Sequence, residues 1–153
     1  MSAYRSASFP SSPVSLLPRQ RESSREEASL ILNEAEAVLD PVADIEGFLL
    51  GCLVDASTGM ILASRKDQGD ISLPTAAAGA ADIANVLSLL AGELPMDGLE
   101  DVMVTFRSQL YVIRLMSEDL DPNILLLVIL DRARANLAMA RREIRNFCVN
   151  FAA

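Results

Sequence analysis

The chain has 153 residues, a formal net charge of −8 and no histidine. That length suits one domain with a sizeable core rather than two. The acidic balance argues against a nucleic-acid binder, which needs a positive field along one face. The lack of histidine removes the commonest general base and metal ligand, and every Ser–His or Cys–His nucleophile pair.

Hydrophobic residues make up 51% of the chain, so it must enter a membrane or bury much of its surface, in part against a second copy. The longest uninterrupted apolar runs, around Phe48–Val54 and Ile124–Leu130, fall short of the ~20 residues that span a bilayer. Val14–Leu17, the apolar stretch near the start, is short and is ended by Pro18, which speaks against a secretory signal. Cys52 and Cys148 stand far apart in apolar surroundings, so they read as small hydrophobes in a reduced, cytoplasmic protein.

Residues 1–23 are rich in serine, carry Pro10, Pro13 and Pro18, and oppose Arg5, Arg19 and Arg21 with the single acid Glu22. Such a segment lacks the apolar surface to offset ordering entropy, and is expected to be a disordered tail ahead of a domain over 24–153. Ser24 followed by Glu27 fits a helix-capping box. Ala28, Ile31, Leu32, Ala35, Val38, Leu39 and Val42 then recur at helical spacing until Pro41 ends or kinks the helix.

Phe48–Val54, apolar except at Gly51, predicts a buried strand. Asp55–Gly59 predicts a turn, and Met60–Ser64 a second strand completing a hairpin. The next helix runs from Pro74, where a missing amide proton does no harm, to about Leu90. Three more strands follow at Asp101–Phe106, Leu110–Met116 and Ile124–Leu130. A last helix spans about Arg134 to Asn150, with Leu137, Ala140, Ile144, Phe147, Cys148 and Phe151 as one apolar stripe. Two strands apolar on both faces require cover on both sides of the sheet. The expected fold is therefore α/β (α+β), a five-stranded antiparallel sheet with helices on both faces in the order α-β-β-α-β-β-β-α.

The middle helix is too apolar for one sheet to satisfy. Thr75, Asp82, Asn85 and Ser88 form one narrow polar stripe, read as facing a partner, and almost everything else is Ala, Gly, Ile, Val or Leu. A surface helix ordinarily buries an apolar stripe of only ~100°. A second copy packed here in two-fold symmetry would cover the excess, since one surface then serves twice. Ala77, Ala80, Ala81, Ala84 and Leu87 are the expected contacts, although small residues also suit close packing on the sheet itself.

The element order, the segment Gly47–Ser64 with its strand–turn–strand pattern, the alanine-rich helix and the passage Leu130–Arg141 together resemble a roadblock/dynein light chain domain over roughly residues 28–150. Ala138 departs from the glycine that many members carry. The resemblance implies a homodimer, or a heterodimer with a related roadblock-like chain, in which the middle helix and the adjoining edge strand meet the partner. That adds Val102, Val104 and Phe106 to the expected interface. It also implies a non-enzymatic scaffold or adaptor, in bacterial members often for a small Ras-like GTPase, and in others for dynein or lysosomal signalling complexes. No cofactor, metal or catalytic residue is expected, and no membrane insertion.

The remaining motifs favour plain readings. Arg132, Arg134, Arg141, Arg142 and Arg145 suggest an arginine finger, but basic residues in the later turns of a helix are better read as a solvated face favourable to the dipole. Asp131 and Asn136 read as caps. Glu118, Asp119 and Asp121 lack the alternating ligands and central glycine of a calcium loop, and Gly47 and Gly51 lack the setting of a phosphate-cradling loop. Arg114, a charge within an apolar strand, marks either a wet face or a partner. The alternative to an adaptor is a ligand-sensing domain of the profilin-like or PAS/GAF type, which should enclose a pocket with convergent polar groups.

Overall fold

The strand whose residues are aliphatic from Ile124 to Leu130 takes the centre of the sheet. In the structure, a computed structural model that describes residues 18–93, 98–116 and 123–152, five antiparallel strands lie in the order β2-β1-β5-β4-β3. They are β1 (Phe48–Asp55), β2 (Ile61–Lys66), β3 (Asp101–Thr105), β4 (Gln109–Leu115) and β5 (Ile124–Asp131). Leu125 through Leu130 of β5 are all buried, because helices lie over both sides of it. The polar residues of β2 and β3 are tolerated because these two strands form the edges.

Four helices complete the chain: α1 (Pro18–Ala37), α2 (Asp40–Ala43), α3 (Leu73–Glu93) and α4 (Leu137–Ala152). Alternation along the strands sorts side chains into two cores. On one face Leu53, Val112, Leu126 and Val128 pack against Leu39 and Val42 at α2 and against Ala140, Ile144, Phe147 and Cys148 of α4. On the other face Leu50, Cys52, Ile113, Leu125, Leu127 and Ile129 pack against α3. The fold is thus the α+β sandwich expected, with the short α2 as an added element.

The chain's start differs from its sequence reading. Ser24 lies inside α1 and does not cap it, since the helix already includes Pro18. Residues 1–17, the larger part of the expected tail, lie outside the described residues, as do the side chains of Ala28, Ile31 and Leu32. Pro41 does not end a long helix; α1 closes at Ala37 and Pro41 sits in the first turn of α2, where its ring and missing N–H are harmless. The acidic residues Glu118, Asp119 and Asp121 lie outside the described residues.

The turns follow the expected chemistry. Asp55 Oδ1 accepts bonds from the Ser57 amide at 2.9 Å and the Ser57 hydroxyl at 2.5 Å, and Gly59 adopts φ 74°, a conformation that favours glycine. Gly47, at φ 84°, lies so close to the turn after β5 that a Cβ there would stand 3.0 Å from the Ala135 amide. Its role is close packing; the Gly47 carbonyl accepts from the Asp131 amide at 2.7 Å. Asn136 caps α4 by accepting from the Met139 amide at 3.2 Å.

Candidate partner-docking surface

The α3 helix presents two opposite faces, and both are apolar. Ala77, Ala80, Ala81 and Ala84, spaced as one helical stripe, are at most 3% exposed and lie against the protein's own sheet. These four were expected to meet a second copy; the structure corrects that assignment. Their small side chains let α3 approach its own strands closely, which leaves them no surface for a partner.

The excess apolar surface lies on the far side of the helix. Gly79, Ile83, Val86 and Leu90 recur at i, i+4, i+7 and i+11, and Val86 and Leu90 are 67% and 47% exposed; Leu89 beside them is 68% exposed. The sequence shows that the helix carries too much apolar surface, but not which of its faces meets the sheet. Alanines suit either face, and only the placement of the sheet distinguishes them. Leu87 is half-buried and contributes at the margin.

The exposed row of α3 borders an open groove of about 400 Å³, walled on the other side by β3 and β4. Val104, Phe106, Tyr111 and Ile113 line that wall. The Phe106 and Tyr111 rings meet edge-on, with centroids 4.9 Å apart and planes at 62°, a favoured aromatic geometry. Val102 is half-buried on the same sheet face. Beyond the groove, β3 pairs with β4 on one side and forms the sheet's edge on the other. Of the expected interface residues, then, Val104 and Phe106 stand beside the exposed apolar row; Ala80 reaches the floor of the groove, and Ala77, Ala81 and Ala84 do not line it.

The expected polar stripe divides in the same way. Asn85 donates its side-chain amide to the Ala56 carbonyl at 2.8 Å, tying α3 to the β1–β2 turn. Thr75 accepts a bond from the Ser72 hydroxyl at 3.0 Å. Asp82 and Ser88 are exposed. With 21 residues, α3 is long and apolar enough to cross a bilayer by length and composition, although its interruption by polar residues hid this from a count of unbroken runs. Its alanine stripe is instead committed to the sheet.

The charged groups lie on the other sheet face. Arg114 of β4 is partly sheltered and faces Glu100 at 3.5 Å and Asp101 at 3.8 Å. Asp101 also accepts two bonds from Arg141 of α4, at 3.2 and 2.8 Å, which hold that guanidinium's pKa above its usual value. The odd charge in β4 is therefore met within the chain. Both thiols are buried, and desolvation pushes Cys52 up to about 12 and Cys148 up to about 11; neither is poised as a nucleophile. Among the described residues no group of three or more His, Cys, Asp or Glu side chains is arranged to hold a metal ion.

This sandwich, with one helix over one sheet face and an exposed edge strand beside it, has counterparts among solved structures. An MglB with a tetrameric arrangement superimposes with a TM-score of 0.67 at 19% identity, over 80% of this chain and 88% of that one. The gliding protein MglB from Thermus thermophilus gives 0.64 at 19% identity, over 77% and 85%. A roadblock/LC7 domain from Streptomyces avermitilis gives 0.60 at 15% identity, over 72% and 87%.

This is a roadblock/LC7 fold.

The likeness is carried by structure: no family model and no curated protein matches the sequence. Within the roadblock fold the α3 helix is the middle helix and β3 the adjoining edge strand. The groove lies between them.

Proposed function

We propose that this chain is a non-enzymatic roadblock adaptor of the bacterial type, which dimerises through the exposed face of α3 and the edge of β3 and binds a small Ras-like GTPase. The observation that carries the first half is the apolar row Gly79, Ile83, Val86 and Leu90, continuous with the groove bounded by Val104 and Phe106. Each exposed Å² of such surface gains roughly 25 cal/mol when covered. A second copy in two-fold symmetry offers the same apolar row in return, and an unpaired strand edge offers ready backbone partners.

The second half rests on likeness. The MglB structures share the fold, one of them in a tetrameric arrangement and another described as a gliding protein. The sequence resemblance to roadblock domains supports a GTPase as the client, and exposed Asp82 and Ser88 on α3 offer polar contacts beside the apolar row.

Sedimentation equilibrium at micromolar concentration tests the dimer; a stable monomer overturns it. A pull-down against small GTPases encoded nearby, with and without GTP, tests the client. Nucleotide-dependent capture is expected, and its absence overturns the GTPase assignment while leaving the dimer standing.

A further inference from the structure

A second surface lies across the sheet from α3, where Glu100, Asp101, Arg114, Arg141, Arg142 and Arg145 line a concavity of about 320 Å³. Four guanidinium groups face two carboxylates there, so the pocket is positive in a chain whose net charge is −8. We propose that this arginine pocket between the β3–β4 strands and α4 docks an acidic segment of a partner protein.

The pocket is held by regular elements. Asp101, its side chain 13% exposed, clamps Arg141 through two bonds, and Arg114 projects from an interior strand of the sheet. These two arginines are thereby fixed, and their charge is offset. Arg142 and Arg145 have no hydrogen bond or ion pair among the described residues. Their forks are free to take carboxylates, a pairing that guanidinium geometry suits.

On α4, Arg142, Arg145 and Val149 follow one another at i, i+3 and i+7, and Val149 is 60% exposed. The row thus pairs charge with an apolar contact, as an acidic segment with an interspersed aliphatic residue would require. A membrane surface fits less well, because a helix lying in a bilayer interface buries a broad apolar face. That face of α4 is already committed: Ala140, Ile144, Phe147 and Cys148 are buried on the sheet. The pocket and the α3 groove lie on opposite faces of the sheet.

The test is an anisotropy titration of the full chain with a fluorescent peptide of repeating Glu and Leu. Binding is expected at low salt and should weaken as salt rises, given a Debye length of ~10 Å at 0.1 M. The double variant Arg142→Glu/Arg145→Glu should bind about tenfold more weakly or worse, with an unchanged circular dichroism spectrum. Arg134→Glu, on the exposed turn before α4 and outside the pocket, should bind as the parent does. The proposal is overturned if the parent does not bind the peptide, if the double variant matches the parent, or if Arg134→Glu weakens binding as much. It also fails if phosphatidylserine vesicles are bound through Arg142 and Arg145 while the peptide is not, which would make the partner a membrane.

Discussion

The side chain of Asn85, in the middle of α3, donates to the backbone carbonyl of Ala56 in the turn that joins β1 to β2. A helix lying over a sheet is free to slide along it when the contacts are small and apolar, as the alanine stripe is. The 2.8 Å bond fixes α3 at one position. Asn85→Ala leaves the Ala56 carbonyl without that donor, and the expected loss is about 1–2 kcal/mol. Urea denaturation measures it; an unchanged midpoint would show that the bond contributes nothing net.

The two apolar faces of α3 should respond in opposite ways to the same change. Ala80 is 3% exposed against the sheet, so Ala80→Glu buries an unpaired charge and should cost more than ~4 kcal/mol, giving insoluble or unfolded protein. Val86→Glu projects from the outer face and should leave the fold within ~0.5 kcal/mol of the parent while breaking the proposed dimer. Circular dichroism separates the first effect from the second, and sedimentation reads the second. A Val86→Glu variant that stays dimeric would move the interface off this face.

Hydrogen bonds from Ser57 hold the Asp55 carboxyl below its ordinary pKa. A carboxylate favoured in the folded state adds stability above its unfolded pKa of ~4 and loses it as pH falls through the lower, folded value. Asp55→Asn should therefore melt below the parent at pH 7, and the difference should close below about pH 4. Melting curves across that range check it, and a gap independent of pH would show that the charge plays no part.

The thiols titrate in the other direction. Burial raises Cys52 to about 12 and Cys148 to about 11, whereas thiols in the unfolded chain ionise near ~8.5. The unfolded state therefore releases protons first, and stability falls as pH rises above about 9. At pH 8 the folded protein should resist iodoacetamide at both sites and react fully once unfolded in guanidinium. Mass spectrometry counts the adducts; rapid modification of Cys148 in the native state would mean that its cover over Met116, 3.5 Å away, opens readily.

Local chemistry determines much of this protein. Phe48–Val54 and Ile124–Leu130 declared buried strands because a run apolar on both faces has no stable place except under two covering layers. Asp55 and Gly59 specified a turn, and the α4 stripe from Leu137 to Cys148 specified which side of that helix is hidden. These are properties of short segments with fixed periods, 2.0 along a strand and 3.6 along a helix. The surplus of apolar surface on α3 was equally legible, since it needed only a count around one helix.

What only the tertiary structure decided is which face is which and which charges meet. Ala80 and Val86 are interchangeable as apolar positions on α3 until the sheet lies beneath one of them. Asn85 reads as a partner contact until the β1–β2 turn, nearly thirty residues earlier in the chain, comes within 2.8 Å. Arg114 stays an oddity in β4 until the sheet register sets Asp101 opposite it and α4 brings Arg141 to the same carboxylate. The physical reason is common to all three. Periodicity records the angle between side chains on one element, whereas orientation and charge pairing depend on elements distant in sequence, whose spacing in space no local pattern encodes.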